Sequence, residues 1–299
     1  MVHRENIEFR TVDGLVLRGW LYPTPTRSPA VVITPGFNCV KEMFVPDVAE
    51  AFQKAGINAL VYDPRTLGDS DGLPRNNIDP LDQVSDYSDA LSFLCSQPSV
   101  DADRLAFWGM SVSATVALCA AALDKRPKVC VALCPMLNFE PPPDRLPAVL
   151  AKSMQDRRSQ TIGGNEPTYI PLLNAEGRNP AGLGFETGPE ELAFMTSAKE
   201  HGAPNYENRT TLQTYYNLLR WQPHRITKYL SGTATLMIVP ELDKISPPEE
   251  QNALFDTFPE PKVSHVAAGK GHLNVLSGEE FEPLMAMQVE WLRKHLDGA

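Results

Sequence analysis

Arg104-Leu105-Ala106-Phe107-Trp108-Gly109-Met110-Ser111-Val112-Ser113-Ala114 is the stretch that decides the fold. Leu105 to Trp108 is a short apolar run that reads as a buried strand, and Gly109 ends it. Small and aliphatic residues from Ala114 through Ala122 read as a buried helix. A serine at the apex of a tight strand-to-helix turn is a nucleophile elbow, with its hydroxyl held out of the sheet. The helix N-terminus that follows points its N–H groups at any oxyanion formed there. Ser113 stands where the Gly-x-Ser-x-Gly pattern has its second glycine. That position needs a small side chain because the helix passes close to a strand, and serine is nearly small enough. Taken alone, the motif also leaves open a serine in an ordinary strand–turn–helix.

Outward from the elbow, strands and helices alternate. Ile7 to Arg10 and Leu15 to Tyr22 flank Asp13-Gly14 and read as a hairpin. Ala30–Thr34, Asn58–Tyr62 and Val129–Leu133 read as further strands, with helices over about Pro46–Ala55 and Pro80–Cys95 between them. The sheet resumes at Ala234–Val239 and Val263–Ala267, and Phe281–His295 is a closing amphipathic helix. This alternation predicts an α/β architecture: a mostly parallel, twisted sheet covered by helices on both faces. From Glu140 to Leu230 the chain is polar and in places rich in Pro and Gly. Helices are expected there at Leu146–Asp156, Pro189–His201 and Thr211–Leu219. The stretch is too long for a loop and reads as an inserted helical lid at 140–230, with the core formed by 1–139 and 231–299.

Composition narrows the function. The 299 residues carry a net charge of −10. No basic run or basic–aromatic interleaving is present, which excludes a nucleic-acid binder. No apolar stretch is long enough to span a bilayer, and the N-terminus shows no signal-peptide core, so no membrane partner and a cytoplasmic location are expected. The five cysteines, Cys39, Cys95, Cys119, Cys130 and Cys134, are odd in number and mostly in apolar elements. They read as reduced thiols rather than a disulfide framework. No Cys/His spacing suggests a metal, and no Gly-rich phosphate loop suggests a cofactor, so neither is expected.

The strand ends carry the chemistry. Ala234–Val239 is followed by Pro240-Glu241-Leu242-Asp243, and Val263–Ala267 by Gly269-Lys270-Gly271-His272. The order Ser111, Asp243, His272 is that of an α/β-hydrolase triad, each member on a loop at a strand's carboxyl end. Ser111 would attack a carbonyl, His272 would take and return its proton, and Asp243 would orient His272. Glu241 is the rival acid. His3, His201, His224, His265 and His295 sit terminally, in the lid, inside a strand or on the last helix. For the oxyanion hole, one donor is the backbone N–H of Val112. The second is expected from Pro35-Gly36-Phe37-Asn38, at Phe37 N–H, and two such donors would contribute about 3 kcal/mol each to lowering the barrier. The lid residues Phe194, Tyr215, Tyr216 and Trp221, with Met195, Leu218 and Leu219, are candidates to line an apolar acyl pocket, or else to glue the lid to the core.

Across nearly its whole length the chain resembles the α/β-hydrolase superfamily. Asn6–Tyr22, Asp63–Gly72, Asp82–Leu94, Gly109–Ser113 and Glu241–Pro248 resemble more specifically the fungal polyketide transferase and thiohydrolase group. That resemblance implies a serine thioesterase or acyltransferase that releases a polyketide chain from the acyl carrier protein of a synthase, to water, an alcohol or the chain's own hydroxyl. A general carboxylester hydrolase or serine peptidase shares the same residues, and a non-catalytic binding protein of this fold is the third reading. Lys152, Arg157 and Arg158 form the densest basic group of the lid; they suit a solvated helix end first, and a carrier-protein docking patch second.

Overall fold

The computed structural model describes residues 3–183 and 187–297. The chain opens with an antiparallel hairpin, β1 (Glu5–Arg10) and β2 (Val16–Tyr22), turned at Gly14 with φ 94°. There follow β3 (Ser28–Thr34), α1 (Pro46–Lys54), β4 (Asn58–Tyr62), α2 (Pro80–Cys95), β5 (Val100–Met110), α3 (Val112–Leu123) and β6 (Val129–Leu133). The chain then leaves the sheet for α4 (Leu146–Gly163), β7 (Tyr169–Ile170), α5 (Pro189–Ser197), β8 (Thr210–Thr211), α6 (Leu212–Arg220) and α7 (Pro223–Thr227). It returns through β9 (Ala234–Pro240), α8 (Pro248–Asp256), β10 (Lys262–Ala267) and α9 (Phe281–Leu296).

The main sheet has the order β1-β2-β4-β3-β5-β6-β9-β10. Its first two pairings are antiparallel and the rest parallel. Parallel strands buried on both faces divide their side chains by a period of two. In β5, Leu105 and Phe107 enter the core shared with α2 and α3, whereas Ala106 and Trp108 enter the core shared with α1 and α9. Trp108 reaches across that second layer, its Nε1–H donating to Gln288 Oε1 at 2.7 Å. α3 is apolar on every side because the sheet, α2 and α7 all pack on it. α2 begins where its sequence dictates: Asp79 accepts from the Leu81 N–H at 3.1 Å, and Pro80 occupies the first turn.

Several elements differ from their sequence reading. β5 starts at Val100, because Val100 already pairs with Ser28 of β3, with an irregularity before the ladder resumes at Ala30 opposite Leu105. α4 continues past Asp156 to a left-handed cap at Gly164. α5 stops at Ser197. The nine-residue helix α8 is unanticipated, its charged first turn Glu249-Glu250 giving no apolar stripe to read. Among the described residues the five cysteines are free thiols, and no helix is long and apolar enough to cross a membrane.

The elbow depends on close backbone approach at Gly109. A Cβ placed there would lie 2.2 Å from the Ser113 carbonyl oxygen, which cannot move without shifting α3. Gly109→Ala should therefore cost about 3 kcal/mol of stability, measurable as a lowered urea midpoint. A midpoint matching that of the unaltered chain would show that β5 and α3 are not locked in this way.

Candidate active site

Ser111 sits between β5 and α3 at φ 60° and ψ −127°, a backbone region that a residue with a Cβ rarely adopts. Its N–H donates to the Leu133 carbonyl at 2.9 Å, and its own carbonyl accepts from Ala114 at 3.0 Å and Met136 at 3.2 Å. These bonds fasten the turn to the end of β6. Gly109 supplies the close strand–helix approach, and Ser113 is small enough to be buried under it.

The loops after β9 and β10 bring two further groups to Ser111. His272 Nε2 lies 2.8 Å from Ser111 Oγ, and His272 Nδ1 lies 2.8 Å from Asp243 Oδ2. A carboxylate only accepts, so Nδ1 carries a proton, and in the neutral ring Nε2 faces the serine hydroxyl with its lone pair. The three residues are 8, 4 and 6% exposed for Ser111, Asp243 and His272. Asp243 is itself held on both oxygens. Oδ1 accepts from the Ile245 and Ser246 N–H groups at 2.9 and 2.8 Å, and Oδ2 also accepts from Gln251 Nε2 at 3.1 Å. Glu241, the rival acid, is engaged elsewhere: its Oε2 accepts from the Gly269 N–H at 2.7 Å. It thus braces the loop that carries His272.

Two residues here were not singled out in the sequence. Gln251 comes from α8, whose existence had no sequence signature. Cys134, read only as a buried thiol, stands at the end of β6 with φ 40°. Its Sγ, an Asp243 oxygen and a His272 nitrogen lie within 4.8 Å of one another, the one metal-capable grouping among the described residues. Burial disfavours the imidazolium of His272, but the Cys134 sulfur and the Asp243 carboxylate favour it more, so its pKa is raised above the ordinary 6.5.

The loop after β3 approaches the serine from the other side. A Cβ on Gly36 would lie 3.5 Å from Ser111 Cβ, which leaves room for the backbone to pass beside the hydroxyl. The N–H groups of Phe37 and Val112 find no acceptor among the described residues. Val112 follows Ser111 in the chain, and Phe37 lines the same cavity as Ser111.

An apolar cavity opens directly over Ser111 and His272, walled by Phe37, Phe44, Met136, Leu172, Leu173 and Met195. Of the lid residues considered from the sequence, Met195 is there and the four principal candidates are not. Tyr215 is fully buried, its hydroxyl bonded to Asn179 and Thr210 at 3.0 and 3.2 Å. Trp221 packs on Phe139 at a ring distance of 5.1 Å, in the core beneath α3. Tyr216 lies against the Arg220 guanidinium. Phe194 is 45% exposed, its ring tilted against that of Phe44 at 5.5 Å. The correction has one cause: helical spacing places a residue on a face of its own helix, but not which partner that face meets. Leu172 and Leu173 lie in a segment without periodicity and gave no sign.

A parallel sheet with a strained serine after one strand, and an acid and a histidine after two others, defines a hydrolase-type α/β protein. The chain belongs to the alpha/beta hydrolase family, whose model matches residues 31–284. It is 61% identical over 290 residues to a protein named thiohydrolase from Eupenicillium brefeldianum, covering 97% of this chain and 94% of that one. It is 44% identical over 298 residues to polyketide transferase af380 of Aspergillus fumigatus, covering 99% of this chain and 100% of the relative. The structure of DcsB in complex with its substrate analogue superposes with a TM-score of 0.93 at 44% identity, over 98% of this chain and 100% of that chain.

The raised pKa of His272 sets a pH dependence. A ring whose pKa is raised is neutral, and able to accept a proton, only above that value. Any activity that uses it as a base should fall as pH drops, with an acid limb above 6.5, the ordinary histidine value. Asp243→Asn removes a group that favours the cation while leaving the burial. The imidazole pKa should then fall, read by NMR titration of the ring protons. A pKa unchanged by the substitution would show that the carboxylate does not hold the charge on His272.

Proposed function

We propose that this protein is a serine acyl-transfer enzyme acting on an acyl thioester whose acyl chain is an apolar polyketide. The observation that carries the reading is the Asp243–His272–Ser111 relay, 2.8 Å at each step, opening into an apolar cavity. Ser111 Oγ attacks the thioester carbonyl while His272 Nε2 takes the hydroxyl proton. The developing oxyanion accepts from the Phe37 and Val112 N–H groups. As the C–S bond breaks, His272 returns the proton to the sulfur, leaving an acyl-serine. A water or hydroxyl acceptor then gives its proton to His272 and attacks the acyl-serine, and Ser111 regains the proton as the product leaves. Asp243 holds the ring in the one tautomer that permits this and stabilises the transient cation.

The names of the relatives supply the substrate class. One relative is named thiohydrolase and another polyketide transferase, and in this chain an acyl-serine resolved by water or by another acceptor would account for either activity. The cavity wall fits an apolar acyl chain, and its one carboxylate, Glu191, accepts from the Gly188 N–H at 2.8 Å. A thiolate is also a better leaving group than an amine or alkoxide, so the relay has less protonation to perform. Delivery by an acyl carrier protein is part of this proposal. Lys152, Arg157 and Arg158, all exposed on α4, form the cationic surface to examine for it.

The test is a panel of acyl N-acetylcysteamine thioesters, with products and intact protein followed by mass spectrometry. Ser111→Ala should abolish both turnover and labelling by a fluorophosphonate. Asp243→Asn should lower kcat by about 10⁴, with Glu241→Gln mild. Turnover by Ser111→Ala near that of the unaltered enzyme would remove the acyl-serine. Full activity of the thioester-silent enzyme on simple carboxylesters would make it a general esterase. For the carrier, charge reversal at Arg157 and Arg158 should raise KM for a carrier-bound chain and leave the N-acetylcysteamine substrate unaffected. Equal effects on both would place docking elsewhere.

A further inference from the structure

Asn38 follows the expected oxyanion donor Phe37 in the chain. It is 1% exposed, yet it is polar and holds a left-handed backbone at φ 58°. Buried polar groups must be paired, and the partners of Asn38 lie outside its own loop. Its Nδ2–H donates to the Glu207 carbonyl at 2.7 Å, across 169 positions of chain. Its Oδ1 accepts from Asn76 Nδ2 at 3.2 Å.

Glu207 belongs to a strap, residues 203–211, that also holds the wall of the acyl cavity. The next residue, Asn208, pairs with Leu173 in both directions: Oδ1 accepts the Leu173 N–H at 3.0 Å, and Nδ2–H donates to the Leu173 carbonyl at 2.8 Å. Leu172 N–H donates to the Asn208 carbonyl at 3.4 Å. Leu172 and Leu173 are cavity wall. The wall and the loop bearing Phe37 are therefore bonded to adjacent residues of one strap. The far end of the loop is fixed differently. Lys41 N–H and Nζ bond both oxygens of buried Asp63 at 2.7 and 2.8 Å, tying the loop to the sheet. The loop is thus fixed to the sheet at Lys41 and to the strap at Asn38, with the oxyanion donor next to the second attachment.

We propose that Asn38 is a positioning residue that couples occupation of the acyl cavity to the oxyanion hole. An acyl chain pressed against Leu172 and Leu173 seats the strap, and through Glu207 and Asn38 the seated strap holds the Phe37 N–H on the developing oxyanion. A chain too short to reach that wall leaves the strap free to lift and the hole less well formed. Chain-length selectivity then appears in kcat as well as in KM, because binding energy from a remote part of the substrate is used at the reacting carbonyl. This rests on Phe37 N–H serving the acyl transfer proposed above.

The experiment compares octanoyl and acetyl N-acetylcysteamine thioesters and the rate of fluorophosphonate labelling at Ser111, a reaction that needs the same hole but carries no long chain. Asn38→Gly keeps the left-handed backbone and deletes only the amide. It should lower kcat for the octanoyl substrate by about 10- to 100-fold with KM little changed, and should reduce the kcat preference for octanoyl over acetyl. Asn208→Ala lies outside the oxyanion loop and leaves Ser111, His272 and Phe37 untouched. It should weaken the same preference, and the double variant should lose less than the product of the two single effects. An Asn38→Gly enzyme that keeps the octanoyl preference in kcat overturns the proposal. So does an Asn208→Ala enzyme that keeps it, should Asn38→Gly fail to fold, and so do fully multiplicative effects in the double variant. Failure of the acyl-serine reading itself would look different, since the unaltered enzyme would then be neither labelled at Ser111 nor active on either thioester.

Discussion

The site depends on keeping Ser111 in a backbone conformation that side chains disfavour, at φ 60°. Strain of that kind costs about 1–3 kcal/mol and persists only where the surroundings leave no alternative. Here β5 is buried on both faces, so the strand cannot shift, and α3 is packed all round, so the helix cannot recede. The Ser111 N–H bond to Leu133 and the Met136 bond to the Ser111 carbonyl close the turn against β6. Stability accumulated in two large cores is what holds one hydroxyl out over the strand ends.

The histidine and acid are fixed by satisfaction of polar groups rather than by strain. Asp243 accepts from Ile245, Ser246, Gln251 and His272, so neither oxygen is free to rotate away. An orientation so constrained dictates the tautomer of His272 and hence which nitrogen meets Ser111. Cys134 adds to this from β6, and its contact with the pair favours the charged ring against the effect of burial. The same buried surroundings that penalise an isolated imidazolium make the carboxylate beside it more effective.

The region between β6 and β9 contributes shape. Its helices α6 and α7 carry core residues such as Tyr215, Leu218 and Ile226, and so fasten the excursion to the sheet layer under α3. Its irregular segments, around Leu172, Leu173 and 203–211, approach the serine. The division follows from chemistry: regular amphipathic helices give the anchor, and strap residues with side-chain amides, Asn208 above all, bond the backbone of a wall that has no sheet to bond it.

The sequence by itself determined the parallel sheet, the elbow at Ser111 and the chain order of Asp243 and His272. These follow from local signals: apolar runs of strand length, a helix of small residues, and polar loops at strand ends. It also marked the turn at Pro35-Gly36-Phe37, since glycine before an aromatic at a strand end is a local feature. Only the tertiary structure decided that Glu241 braces a loop while Asp243 meets His272, that Gln251 and Cys134 join them, and that Leu172 and Leu173 wall the cavity in place of Tyr215, Tyr216 and Trp221. Each of those outcomes is a contact between residues distant in the chain. Periodicity and turn chemistry record how a segment folds on itself, whereas the partner of a buried face is chosen by how whole layers pack, and no local pattern carries that information.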